Sequence, residues 1–219
     1  TVKQDKTSVG LAGSYSQNTL TGTTKAAVQW AVLDLAGLTL KADRYGNIWA
    51  ICASGSGAKS KKGYALAGSV SNNEINNTTW AVLENIGGTV AGDPAYSVTI
   101  EARDNMLLHV IAGAASYGGK AGIGAALAYN DITSDVASLL KNADLFISGD
   151  LLLNARNTGY ILAVVASAGV STQDEGVTAG ASGTIAINLI DNTVKACILK
   201  IEGLEERIKT LESQCEQKE

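Results

Sequence analysis

The feature that most constrains this fold is a strand-like segment that recurs along the chain at a nearly constant interval. Each copy contains an asparagine followed two residues later by leucine or isoleucine, and the four asparagines are Asn18, Asn73, Asn130 and Asn188. The intervals between them are 55, 57 and 58 residues. A fixed period with strand-like texture is typical of solenoids, in which each repeat buries its apolar face by stacking on its neighbours. About three and a half repeats fit between Val9 and Ile198.

Each repeat reads as about four short strands separated by turn residues. Alternation of apolar and polar residues puts Leu38, Leu40 and Ala42 on one face of a strand. Ile48 to Ala53 is the next strand. The corresponding segments are Leu107 to Ala112 in the second repeat and Ile161 to Ala166 in the third. The pattern predicts an all-β fold, a right-handed parallel β-helix (β-solenoid), over residues 1–198. Whether a repeat forms two long coils or three short ones stays open.

Small residues and asparagines are expected to stack inside this solenoid. Three rows of equivalent alanines are predicted to line the inner corners: Ala26, Ala81, Ala137 and Ala196; Ala42, Ala102 and Ala155; Ala53, Ala112 and Ala166. The four recurring asparagines have two interpretations. Either they form a side-chain ladder at one bend, or each tolerates the left-handed conformation of its own turn.

Composition excludes several classes of protein. Hydrophobic residues make up 46% and aromatic residues only 5% of the chain, with 24 glycines, which excludes a disordered chain and favours a narrow core of small side chains. The net charge of −4 and the lack of a basic cluster argue against nucleic acid as a partner. The three cysteines suggest neither a disulfide framework nor a zinc site. The least polar stretch, Met106 to Tyr129, reads as strands, so no membrane insertion is predicted.

The residue pattern changes from strand-like to helix-like from Val194 onwards. Residues 199–219 are predicted to form a short α-helical coiled coil. Apolar residues recur at steps of three and four, with heptad a and d positions at Ile201, Leu204, Ile208, Leu211 and Cys215. Oppositely charged residues at e and g predict self-association as a dimer or a trimer. The alternative is a helix that folds back and covers the open edge of the last coil.

Residues with catalytic chemistry are sparse, and no catalytic, cofactor or metal site is predicted. His109 is the one histidine and has no carboxylate or serine partner at a recognisable spacing. Four acids, Glu74, Asp131, Asp135 and Asp191, lie in the recurring segment. A carbohydrate-active β-helix enzyme, a polysaccharide lyase or hydrolase, needs such acids clustered on one face, but no acid recurs in all four copies. We interpret these residues as turn residues and keep that enzyme class as the alternative.

The repeat resembles those of large secreted bacterial β-helix adhesins. The pattern is a strand ending Asn-x-Leu/Ile, then Asn-Thr-x-x-Ala, then Leu-x-Leu-x-Ala-x-Asn, and it is clearest in Gly122 to Ile132 and Ile187 to Ala196. It is similar to repeats of leukotoxin-like and filamentous-haemagglutinin-like proteins of autotransporter and two-partner secretion systems, and the likeness covers about residues 9–198. This resemblance implies a secreted, cell-surface rod segment that mediates attachment to a host-cell or surface ligand or display, not catalysis.

The loops between strands are expected to carry variable chemistry along that rod. Three of them differ between repeats, namely Lys59 to Lys62, Glu84 to Ala95 and Ser171 to Glu175.

Overall fold

The chain folds mainly into long strands, most of which form one whole side of a repeat. The computed structural model describes residues 6–91, 97–172 and 177–199. Within these ranges the strands are β1 Val9–Gln29, β2 Val32–Leu35, β3 Leu38–Ala58, β4 Tyr64–Val90, β5 Val98–Gly118, β6 Ala121–Ile147, β7 Leu151–Asn157, β8 Tyr160–Ser171 and β9 Ala179–Leu199.

These strands form two parallel sheets that the chain visits alternately. The first sheet has the order β1-β4-β6-β9, with β2 also paired to β4. The second sheet has the order β3-β5-β7, and β8 continues beside β5. Each repeat therefore runs out along the first sheet and back along the second, and successive repeats pair in parallel. This stack of coils is compatible with the predicted β-solenoid.

Each repeat makes one coil with two long sides, which corrects the expected four short strands and two or three coils. Segments that look like turns, such as 43–47 and 103–105, remain inside β3 and β5. Their polar side chains do not interrupt the strands, because the backbone groups are satisfied by the neighbouring coil and not by a local turn. Pairing across coils thus overrides local turn chemistry.

The predicted fold class is corrected in its α-helical part. The described residues contain strands and no helix, so an all-β fold replaces the predicted combination of β-solenoid and α-helical coiled coil. Strand β9 continues past Val194 to Leu199, because it pairs with β6 residue by residue as far as Lys141. The predicted oligomerisation residues, Ile201, Leu204, Ile208, Leu211 and Cys215, lie outside the described residues.

The core lies between the two sheets and changes in width along the strands. In β4 every second side chain from Ala65 to Leu83 is buried. The widest parts hold clusters around Leu83 and Ile100 and around Ile75 and Leu108. At the opposite end, which we call the narrow end, a Cβ on Gly10 would lie 2.5 Å from the carbonyl oxygen of Gly57. The sheets approach so closely there that the interior accepts only glycine and other small residues.

The predicted rows of alanines are partly confirmed. Ala42, Ala102 and Ala155 stack in register in the second sheet. In the row that begins at Ala26, Ala137 is displaced by one residue, because Ala81 pairs with Ser138. In the row that begins at Ala53, Ala112 is displaced by one residue, because Ala53 pairs with Gly113. A shift of one residue moves a side chain to the opposite face of a sheet, so Ala53 lies on the outer face and not in the core.

Candidate functional site

The four recurring asparagines form a side-chain ladder inside the first sheet. Each Nδ2 donates to the Oδ1 of the asparagine in the next coil, from Asn18 to Asn73 at 2.7 Å, from Asn73 to Asn130 at 2.8 Å and from Asn130 to Asn188 at 2.8 Å. Their register is direct. The predicted ladder is therefore confirmed, but it lies within the long strands of the first sheet and not at a bend. It holds successive coils in register.

A second asparagine ladder, not predicted from the sequence, marks the bend near the end of the first sheet. Asn142 Nδ2 donates to Asn85 Oδ1 at 2.6 Å. Both residues have positive φ, 45° and 53°, and Trp30 takes the same conformation one coil earlier with φ of 57°. The left-handed backbone conformation is thus adopted by Trp30, Asn85 and Asn142, and not by the four recurring asparagines. The sequence signal that could have predicted this second ladder is the asparagine at equivalent positions of two repeats, Asn85 and Asn142.

A layer of polar residues crosses the interior between the two apolar clusters. Asp104 on the second sheet is 1% exposed, and Asn77, Thr79 and Ser134 on the first sheet are equally enclosed. Both carboxylate oxygens of Asp104 and the hydroxyls of Thr79 and Ser134 have no hydrogen-bond partner among the described residues. A Cβ on Gly22 would lie 2.6 Å from the guanidinium of Arg44, so that side chain reaches across the interior to the first sheet.

Burial is the largest influence on the pKa of Asp104. Desolvation raises the pKa of its carboxyl above the usual 3.8, and the positive charge of Arg44 and the polar groups of Asn77, Ser134 and Thr79 offset only part of that effect. The folded protein therefore holds a proton on this carboxyl more tightly than the unfolded chain does. The stability contributed by Asp104 is fully present below its ordinary pKa and is lost as the pH rises through the folded-state pKa.

The variant Asp104→Asn tests this pH dependence. We expect the wild type to gain unfolding free energy relative to the variant as the pH falls from 7 towards 3.8, because only the wild type takes up the extra proton. Urea unfolding at a series of pH values measures the difference. A difference that is constant with pH, or that grows towards pH 7 in favour of the wild type, would contradict the assignment.

The outward positions of the strands are uncharged at the narrow end, although Lys120 of the adjoining turn lies over the Tyr64 ring at the edge. On the first sheet these positions comprise every second residue of 9–17, 64–72, 121–129 and 179–187, and on the second sheet every second residue of 47–57, 107–117 and 160–170. None of these positions holds Asp, Glu, Lys or Arg. Many side chains are large and exposed, including Leu11 at 74%, Ile51 at 65% and Ile185 at 58%. We call these surfaces the uncharged faces.

A groove runs along the stack within the uncharged face of the first sheet. Its floor is a row of small residues in register, Gly68, Ala125 and Gly183. One wall is formed by Val70, Leu127 and Ile185, and the volume of the groove is about 360 Å³. Because the same position is small in each coil, the groove continues from coil to coil.

An aromatic column lies on the uncharged face of the second sheet. The rings of Trp49 and His109 stack with centroids 4.3 Å apart and planes inclined by 11°, and Tyr160 meets His109 edge-on at 5.7 Å. His109 stands in register with Trp49 and Leu162, whereas the sequence pattern aligns it with Ala50 and Ala163. Its side chain lies on the outer face of β5.

The other half of the second sheet carries a charged cluster on its outer surface. Glu101 accepts hydrogen bonds from Asn154 Nδ2 at 3.0 Å and from the Arg103 guanidinium, and Lys41 Nζ lies 3.3 Å from its second oxygen. Desolvation raises the pKa of Glu101, but the hydrogen bonds from Arg103, Lys41 and Asn154 and the charge of Arg103 together outweigh it. The net pKa therefore lies below the usual 4.5.

We expect Glu101→Gln to be less stable than the wild type at pH 7, because the variant loses two ion pairs. A depressed carboxyl pKa contributes stability above the ordinary pKa that is lost as the pH falls through the folded-state value. The difference between the two proteins should therefore shrink below pH 4.5. Thermal unfolding between pH 3 and 7 measures it, with Glu74→Gln on the other sheet as the matched control. An equal loss in both variants would argue against a specific role of the cluster.

The four acids of the recurring segment lie on the outer face of the first sheet, in three neighbouring rows. Glu74 and Asp131 face each other in register on the outer surface of the first sheet, whereas Asp191 pairs with Thr133 in another row. Asp135 accepts a hydrogen bond from Trp80 Nε1 at 3.2 Å. Two of the acids are thus neighbours, and the others lie in separate rows.

The predicted display loops are only partly loops. Lys59 to Lys62 forms a turn between β3 and β4 at the narrow end. Glu84 to Val90, by contrast, belongs to β4, and Ser171 ends β8. The remaining parts of these two segments fall mainly on residues 92–96 and 173–176, outside the described ranges.

Comparisons with known proteins add no family. No protein-family model, curated protein or solved structure matches the chain. Among the residues that the structure describes, no group of three or more His, Cys, Asp and Glu side chains could hold a metal ion. Over the same ranges there is no helix of the length and apolarity that a bilayer crossing requires. The resemblance to bacterial adhesin repeats therefore stays a prediction.

Proposed function

We propose that this chain is a structural and adhesive rod segment of a secreted bacterial surface protein, which mediates attachment or display and not catalysis. The observation that carries the proposal is the pair of uncharged faces at the narrow end. They present exposed apolar and aromatic side chains that repeat in register along the stack. Contiguous exposed apolar surface of this kind marks interaction sites in proteins.

The scaffold supports the same proposal. Long strands paired residue by residue, together with the asparagine ladder, hold each coil to the next without variation in register. A surface built on such strands keeps its side chains at the spacing of about 4.8 Å between coils. A binding surface on rigid elements loses little conformational entropy when a ligand docks.

The sequence resemblance supplies the biological setting of the proposal. Repeats similar to this one occur in large secreted adhesins, where the implied partner is a host-cell or surface ligand. An outer apolar groove that continues across coils is a suitable contact for such a ligand, since affinity can accumulate over several coils.

A binding assay with variants of the groove tests the attachment function. Ile123, which is 46% exposed, lies on the uncharged face of β6, and Ile123→Lys puts a charge beside the groove. We expect the fraction of fluorescently labelled protein retained on cultured epithelial cells to fall at least about tenfold, as at a binding hot spot.

The matched control is Thr133→Lys, an outward substitution on the same strand but outside the uncharged face. It should bind as the wild type does. Equal binding of all three proteins would overturn the role of the uncharged face. A wild type that retains no more label than an unrelated protein of similar charge would overturn the attachment function itself.

A further inference from the structure

A hollow interrupts the second sheet where the third coil leaves its neighbour. Strand β7 ends at Asn157 and β8 begins at Tyr160. Between them the Thr158 amide still donates to the Asp104 carbonyl of β5 at 2.9 Å, whereas the Gly159 amide does not pair with β5. The turn is held by Asn157 Oδ1, which accepts a hydrogen bond from the Gly159 amide at 2.9 Å. A cavity of about 230 Å³ results, lined by Tyr45, Arg103, Asp104, Asn105, Arg156 and Thr158.

Three cationic and two anionic side chains lie in and around the hollow, so one positive charge is left without a counter-charge. Lys41 and Arg103 form ion pairs with Glu101. The negative charge of Asp43 also stabilises the protonated form of Arg103 and so raises its pKa. Arg156 stands beside Arg103 in register, so two arginines occupy neighbouring strands. Within the described ranges no carboxylate pairs with Arg156. Like charges at strand spacing repel each other, and an anion between them would remove that repulsion.

Unused hydrogen-bond donors accompany this charge. Arg103 Nε is buried and has no partner among the described residues. Asn105 and Thr158 add an amide and a hydroxyl to the lining, and Tyr45 is 66% exposed at its edge. The carboxylate of Asp104 does not oppose an anion here, because its side chain lies on the inner face of the sheet and is 1% exposed.

We propose that this hollow binds a small carboxylate of monosaccharide size, such as a uronic acid. Guanidinium groups bind the two oxygens of a carboxylate side by side, and a pair of them fixes its orientation. The neutral donors and the Tyr45 ring suit the hydroxyls and the apolar face of a sugar. About 10–15 Å³ of such a volume already holds one water molecule, so a cavity of about 230 Å³ has room for a molecule of several heavy atoms, such as one sugar ring.

The site does not depend on the proposed attachment function, because it lies on the charged half of the second sheet and not on the uncharged faces. Isothermal titration of the full chain with galacturonate and with galactose, its neutral counterpart, tests it at low salt. We expect saturable binding of galacturonate in the millimolar range, weakened by added salt, and none of galactose.

Two variants locate the binding. Arg156→Gln should weaken galacturonate binding at least about tenfold, since it removes one of the two charged donors, and the outward position of this side chain lets the variant fold as the wild type does. Lys195→Gln, an exposed cation on the first sheet, should bind as the wild type does. Unchanged binding by Arg156→Gln, or equal binding of galactose, would overturn the proposal. Tighter binding of sulfate than of galacturonate would overturn the assignment to a carboxylate.

Discussion

Gly88→Ala is expected to lower the free energy of unfolding by about 3 kcal/mol or more, a large effect for the addition of one methyl group. Gly88 has φ of 116°, a conformation that side-chain-bearing residues rarely adopt. An added Cβ would overlap the carbonyl oxygen of Leu33 and lie 2.7 Å from its amide nitrogen. Both atoms belong to the backbone of the paired strand β2, so neither can move without breaking the ladder.

Gly68→Ala is the matched control on the same strand. A Cβ at Gly68 meets no atom within 4 Å, so this change should be close to neutral. Urea unfolding of the two variants and the wild type measures the contrast. If both variants lost the same stability, the cost would arise from strand propensity in general and not from the bend at Gly88.

Asn73→Ala is expected to cost about 3 kcal/mol of unfolding free energy. Asn73 is fully buried and lies in the middle of the ladder, where it accepts from Asn18 and donates to Asn130 and to Ser71 Oγ at 3.0 Å. Its removal leaves a donor on Asn18 and an acceptor on Asn130 without their partner. An enclosed polar group that loses its partner costs about 1–3 kcal/mol, in addition to the lost bond.

Asn18→Ala is the control for this variant, because Asn18 stands at the end of the ladder and is only partly buried. It should cost about 2 kcal/mol, less than Asn73→Ala, because it leaves only one buried group, the Oδ1 of Asn73, without its partner. Chemical unfolding of both variants gives the comparison. Equal losses at the two positions would show that the ladder acts as independent pairs and not through its buried centre.

Both predictions concern residues whose importance the sequence only partly indicated. The recurrence of Asn73 with its three counterparts is visible in the sequence, but it leaves the ladder and the local turn as alternatives. Gly88 gives no such signal, because its conformation follows from the bend in β4 where β2 joins the same sheet. A requirement for positive φ is a property of the assembled backbone.

The sequence by itself determined the repeat, the all-β character and the stacking of equivalent residues. These follow from local periodicity, since alternation fixes which side chains share a face, and the interval between copies brings the recurring asparagines into one row. It also indicated the narrow interior, because a chain so rich in glycine and so poor in aromatic residues cannot fill a wide one.

Only the tertiary structure decided the length of the strands, the register in the second sheet and the location of the surfaces. Polar residues that read as turns stay within strands, because their backbone groups pair with a coil more than fifty residues away. The uncharged faces lie at the same end of the two sheets, on opposite outer sides, because the chain reverses between the sheets and brings 9–17 beside 47–57. The hollow beside Arg156 likewise requires residues of three coils. Such contacts depend on long-range pairing, which local sequence patterns do not specify.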